Sequence, residues 1–244
     1  MTTTDIKPRL DRDARREAIL DIAAEVFLEE GFDATSMSTI AAKVGGSKST
    51  LYNYFKSKED IFQAHVERYC SWQGQEMFAL LDDEDDDVRA ALTRLGKRYV
   101  TNVMSDRNMR HFRLIATASE RSPDIGRAFY EAGPLRGARL LGGFLARMKL
   151  EGRIDIPDPI AAGHQFIGLC QNRMLKARLV NYIDAPTSEE VDAEVETADR
   201  TFIAAFGNQA AESTSNRPAA PMPPPTHMVT TAYLALRRRP SIRA

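Results

Sequence analysis

Apolar residues recur at three- and four-residue steps through most of this chain, which is the spacing of one helix face. Ile19, Ile22, Ala23, Val26 and Phe27 form such a face, and Gly31 closes the helix because glycine takes the left-handed conformation its end requires. Met37, Ile40, Ala41 and Val44 repeat the pattern over a shorter stretch, with Ser36 placed to cap it. Gly45-Gly46 then breaks the pattern, and Ser47 can cap a third short helix carrying Leu51 and Phe55. Ser57 can cap a fourth, with Glu59 and Asp60 in its first turn, where the helix dipole favours negative charge. Further helices are predicted near 86–104, 107–120, 124–132, 134–151, 158–180 and 188–206. Pro123, Pro134, Pro157, Pro159 and Pro186 fall at their starts or between them, where proline is tolerated. No stretch alternates with β-branched residues, so the expected fold class is all-α.

Composition changes this picture at the end of the chain. From Asn208 onward Ser, Thr, Ala and Pro dominate, with Pro221, Pro223, Pro224 and Pro225 close together, followed by Arg237-Arg238-Arg239. Such a segment cannot bury a core, so 208–244 is expected to be a disordered tail. Its arginines fit either a loose polyanion contact or a solvated terminus. The acidic run Asp82 to Asp87 lacks the glycine and ligand spacing of a calcium loop and reads as a solvated linker. Cys70 and Cys170 are the only cysteines, which excludes a disulfide scaffold and any CxxC motif. There is no apolar segment after the initial methionine and no run long enough for a membrane span. A cytoplasmic protein with no membrane contact is expected.

A formal net charge of −1 argues against nucleic acid for the chain as a whole. The local distribution argues otherwise. Between Asp33 and Glu59 there is no acidic residue, while Lys43, Lys48, Lys56 and Lys58 all fall there. A solvated basic face and a phosphate-binding footprint both fit that stretch. The pattern inside it separates them: a short helix, a glycine turn and a second short helix make a helix-turn-helix. On the second helix Leu51 and Phe55 point one way, while Ser49 and Asn53 point the other, flanked by Thr50 and Tyr52. Small polar side chains beside lysines and hydroxyls are what base-edge and phosphate contacts need.

From Arg12 to about Trp72 the chain resembles the DNA-binding domain of TetR/AcrR-type regulators. The matching features are Arg15-Arg16-x-x-Ile19, Phe27-x-x-x-Gly31-Phe32, Thr35-Ser36 before Ile40-Ala41, and Thr50-Leu51-Tyr52-x-Tyr54-Phe55-x-x-Lys58-Glu59. The resemblance implies base-edge contacts from Lys48, Ser49, Thr50 and Asn53. It also implies phosphate contacts from Ser36, Tyr52, Tyr54 and Lys58, with Ser47 at the same surface and Lys58 fixing the start of the fourth helix. An N-terminal arm (1–11) with Lys7 and Arg9, followed by Arg12, either reaches the DNA backbone or minor groove or, as is expected first, frays. The implied partner is double-stranded operator DNA bound by a homodimer. Where such regulators usually carry an apolar residue after the turn glycine, this chain has Gly46, which is expected to loosen the turn.

The domain boundaries expected are 12–72 for DNA binding and 73–207 for a helical ligand-binding and dimerisation domain. Within the latter, His111-Phe-Arg-Leu-Ile115, Ser122-Pro123 and Phe129-Tyr130-Glu131-Ala132-Gly133-Pro134 resemble the AefR-like branch, regulators that often control efflux or detoxification genes. That implies a small-molecule effector. Trp72, Phe78, Met104, Phe112, Phe129, Phe144 and His164 either line its cavity or belong to plain core. Val191, Val195, Ala198, Phe202 and Phe206 form one stripe, and Ile160, Gly163, Ile167, Cys170 and Met174 another. Each stripe fits either a dimer interface or the chain's own core, and the resemblance favours the interface. No histidine has a second ligand at helical spacing, so no metal and no cofactor are expected. There is no GxSxG, HExxH or phosphate-binding glycine loop, and thus no sign of an enzyme.

Overall fold

The computed structural model describes residues 12–81 and 87–207. The expected N-terminal arm, nearly all of the acidic run and the Pro-rich tail lie outside the described residues. The described chain is helical throughout and contains no strand. In order come α1 (Arg12–Glu30), α2 (Met37–Val44), α3 (Lys48–Tyr52) and α4 (Lys58–Phe78). Then follow α5 (Val88–Val103), α6 (Asp106–Arg121), α7 (Pro123–Tyr130), α8 (Arg136–Leu150), α9 (Pro159–Gln171), α10 (Met174–Leu179) and α11 (Ser188–Phe206).

Two hydrophobic cores organise these helices. The first gathers the apolar faces of α1–α4 around Phe27, Phe32 and Phe62, whose ring centroids lie 4.9–5.7 Å apart. Ile115, Ala118 and Ile125, from α6 and α7, belong to it too. The second core joins α5, α8, α9 and α11 through Leu92, Leu95, Leu141, Leu145, Phe166, Val195 and Phe202. α4 serves both: Ile61, Phe62 and Val66 lie in the first core and Met77 in the second.

Two expected helix boundaries differ from the observed ones. The chain does not stop before Pro134; α7 continues into α8 through a π-helical turn over Glu131–Leu135. Proline has no N–H and its ring clashes with the carbonyl four residues back, and the wider π turn relieves both. The helix expected over 158–180 instead breaks after Gln171. The bend lets Arg178, buried on α10, donate to the carbonyls of Met104 and Ile183 and to Asp106.

The two stripes expected at a dimer interface also need correction. Ile167, Cys170, Met174, Val195 and Phe202 are buried within the single chain, and Phe206 packs against them. α5 and α11 meet so closely that a Cβ on Gly96 would lie 2.8 Å from Val195 Cγ1 and 3.4 Å from Cys170 Sγ. α8 and α9 meet at Gly163, where a Cβ would lie 2.7 Å from the Ala138 carbonyl oxygen. Apart from Ile160, which is exposed at the start of α9, the stripes therefore cover α5 and α8 of their own chain. Helical periodicity shows that a face is buried and is silent on what buries it.

Candidate DNA-reading surface and effector region

Caps define the helix-turn-helix. Ser36 Oγ accepts from the Thr39 amide at 3.1 Å and starts α2. Gly45 ends it at φ 72°, and the amides of Gly45 and Gly46 reach back to the carbonyls of Ala42 and Ala41, each at 3.3 Å. This paired closure is a Schellman motif, and it reverses the chain in two residues. Ser47 Oγ accepts from the Thr50 amide at 3.1 Å and lies 2.8 Å from both Ser49 Oγ and Thr50 Oγ1. One capping hydroxyl thus orders two neighbouring hydroxyls on the outer face of α3.

Burial splits α3 as its wheel predicts. Leu51 and Phe55 sit in the first core, while Ser47, Lys48, Ser49, Tyr52 and Asn53 are exposed and Thr50 is half-buried. Asn53 is the C-cap rather than an interior residue of this five-residue helix. Tyr54 is half-buried and packs against the first core. Ser36 is exposed on the neighbouring helix start.

Lys58, expected both at a phosphate and at the start of the fourth helix, makes its contacts within the chain. Its ammonium donates to the carbonyls of Phe32 at 2.7 Å, Thr35 at 3.0 Å and Asp33 at 3.2 Å, and lies 4.6 Å from the centre of the Phe32 ring. An ammonium has three N–H donors, and all three are used inside the chain. Lys58 ties the α1–α2 connection to the start of α4, as expected, and its three donors are taken up there in the DNA-free chain.

The residues expected around an effector are spread over different surroundings. Met104 and Phe144 are core, and Phe78 and Phe112 are half-buried beside it. Phe112 meets Phe129 at 5.5 Å between centroids, and Phe129 packs against the first core. His164 is half-buried on α9. Trp72 is 60% exposed, on the outside of α4, because its side of the helix meets neither core. It is therefore no cavity wall in this conformation.

Between the two cores lies a polar layer that the sequence reading missed. On α4, His65, Tyr69 and Gln73 succeed one another at four-residue steps. Tyr69 donates to Asn108 Oδ1, and Gln73 accepts from Asn102 Nδ2 at 2.8 Å. The Asn108 amide nitrogen donates to the Asn102 carbonyl at 2.5 Å. His65 and His111 are 3% and 2% exposed, and their rings stack with Tyr69 at centroid distances of 4.4–5.7 Å. His111 Nδ1 reaches the Arg107 carbonyl at 2.9 Å, whereas among the described residues neither ring nitrogen of His65 has a hydrogen-bond partner. Burial, then the neighbouring His111, Arg68 and Arg107, push His65 down to about 3. Burial lowers His111 as well. The signal was present as polar residues at i, i+4, i+8 on a helix otherwise required to be apolar there.

Burial also pushes the Cys70 thiol up to about 12 and raises Cys170, so neither is a ready thiolate. Among the described residues no cluster of His, Cys, Asp or Glu suits a metal ion, and no helix is long and apolar enough to cross a membrane.

A capped helix-turn-helix on an all-helical body defines a DNA-binding transcriptional regulator. The chain belongs to the TetR family: residues 19–65 match the bacterial regulatory proteins of the tetR family, and residues 90–208 match the C-terminal domain of AefR-like transcriptional repressors. The transcriptional activator FasR of Mycolicibacterium smegmatis is 43% identical over 61 residues, 25% of this chain and 28% of FasR. The match to this curated relative thus spans under a third of its length. A TetR-family regulator from Mesorhizobium loti MAFF303099 shares the fold with a TM-score of 0.75 at 25% identity, over 81% of this chain and all of that one. The flavonoid-responsive regulator FrrA gives a TM-score of 0.68 at 29% identity, over 80% of this chain and 98% of its own.

Proposed function

We propose that this protein is a homodimeric repressor that binds a pseudo-palindromic operator and leaves it when a small apolar or aromatic molecule binds the helical domain. The observation that carries the DNA-binding part is the split of α3, buried at Leu51 and outward at Lys48, Ser49, Tyr52 and Asn53. Residues 12–72 read DNA and 73–207 sense and dimerise, with α4 crossing between them. A binding protein, not an enzyme, fits a surface of this kind.

The interface of the proposed dimer is the outward side of α9 and α11, not their buried stripes. An open cleft of about 500 Å³ runs between these helices, lined by Gln165, Gly168, Leu169, Asn172, Thr201 and Ala205 among others. Small residues there let helices of a second copy approach closely, as a four-helix bundle needs. The resemblance of 90–208 to AefR-like repressors supports repression, and the flavonoid response of FrrA supports an aromatic effector class. Efflux or detoxification genes are the proposed targets.

The test is selection of bound duplexes from a random library, followed by footprinting on the region upstream of the gene itself. A two-fold motif protected at two adjacent major grooves is expected. Binding without sequence preference would overturn the regulator reading.

A further inference from the structure

In a Schellman motif the residue after the left-handed glycine usually places an apolar side chain back against the helix it has just closed. Here that residue is Gly46, and the space is not empty. A Cβ built on Gly46 would lie 3.4 Å from Arg15 Nη2 and 3.9 Å from Thr50 Cβ. The guanidinium of Arg15 reaches from the first turn of α1 into contact with the spot where a side chain of the turn would sit.

The two adjacent arginines of α1 differ in how they are held. Arg16 lies 5.1 Å from the centre of the Phe55 ring and 3.4 Å from Glu17. The Glu17 carboxylate is shared with Arg68 at 2.6 Å. Arg15 is half-buried over the turn, yet among the described residues it has no hydrogen bond, ion pair or ring partner. A half-desolvated guanidinium without an anion among the described residues is unfavourable, since burial of a charge costs unless it is paired. Gly46 neighbours both Arg15 and Thr50, on the flank of the exposed face that carries Lys48, Ser49 and Asn53.

We infer that Arg15 is a DNA-phosphate contact, and that Gly46 is the residue that makes its reach possible. The glycine is then a spacer for a cation rather than a weak point in the turn. The inference rests on the proposal that α3 reads DNA. The missing apolar contact is offset by packing of the guanidinium, and the five N–H donors of Arg15 remain for a phosphate, which arginine engages in bidentate fashion. Gly46 is not held at positive φ, so the backbone tolerates a larger residue there, and the side-chain atom nearest to it is the Arg15 guanidinium nitrogen.

The experiment measures affinity for a mixed-sequence duplex and for a library-selected duplex by anisotropy at several KCl concentrations. The proteins are wild type, Arg15→Ala, Arg15→Lys, Gly46→Val and the Arg15→Ala/Gly46→Val double variant. Each phosphate neutralised contributes about 0.9 to the slope of log K against log salt. Arg15→Ala should lower the slope by about 0.9 per subunit on both duplexes, and Arg15→Lys should restore it. Gly46→Val should lower the slope equally, with no further loss in the double variant. An unchanged slope in Arg15→Ala, with wild type binding normally, overturns the contact. A further loss from Gly46→Val in the Arg15→Ala background overturns the role of the glycine. Failure of the wild type to bind any duplex sinks the DNA-binding reading instead.

Discussion

Lys58 shows how a residue type that suits DNA can serve the fold. A lysine at the start of a helix beside a basic stretch has the chemistry of a phosphate contact. Its partners, the carbonyls of Phe32, Asp33 and Thr35, lie more than twenty positions earlier, where no local pattern announces them. Lys58→Met keeps the aliphatic stem and removes three charge-assisted bonds, leaving carbonyls unpaired. We expect a loss of about 2–4 kcal/mol in unfolding free energy, read by urea titration, with the salt slope of DNA binding unchanged in folded protein. A stable variant with a reduced slope would return Lys58 to the phosphate backbone. Lys48 and Asn53 carry the opposite expectation: both are exposed, so alanine at either should leave stability alone. Each should relax operator preference at particular positions by about 1–3 kcal/mol, read by competition between selected and point-substituted duplexes. The caps Ser36, Ser47 and Ser57 were legible because a cap depends on residues three positions away. Long-range ties such as that of Lys58 were not.

Among the elements, α4 combines an apolar first half, a polar middle and an apolar end, and only its capped start was legible. Its middle makes the molecule sensitive to acid. His65 is held neutral in the folded chain at a value near 3, below the 6.5 of an unfolded histidine. A depressed folded value means that the stability it permits is fully present above about pH 6.5 and is lost as pH falls toward 3. At pH 5 the unfolded chain gains about 2 kcal/mol from protonating this one histidine. Thermal melts should therefore fall between pH 7.5 and 5, and His65→Phe should remove that part of the fall. It also removes two ring nitrogens that have no hydrogen-bond partner among the described residues. Equal pH dependence in the variant would show that other groups carry the acid response. α8 and α9 make a second element-level case. Their approach at Gly163 leaves 2.7 Å between a new Cβ and the Ala138 carbonyl oxygen, so Gly163→Ala must push the pair apart. A cost of about 1–3 kcal/mol is expected, visible in the melting temperature.

For the whole molecule, the question is which faces remain once each chain has satisfied its own core. Periodicity left Phe202 at an interface or in the core and the resemblance favoured the interface, yet it is fully buried, its ring centroid 5.4 Å from that of Phe166 and 5.0 Å from that of Phe206. A carboxylate there meets apolar surroundings inside one chain. Phe202→Asp should therefore unfold the helical domain rather than release intact monomers. Ala205, three residues on, is exposed along the cleft between α9 and α11. A long cation at that position disturbs nothing in the isolated chain, but in a two-fold dimer it appears twice near the axis and opposes its own copy. Ala205→Arg should give folded monomers with native helicity and an undiminished melt at low concentration. Because one half-site is a weak tether, it should also lose most operator affinity. Sedimentation velocity and circular dichroism on the two variants separate the possibilities. A folded, dimeric Ala205→Arg protein would move the interface off α9 and α11, and a folded, monomeric Phe202→Asp protein would restore the buried stripe to it.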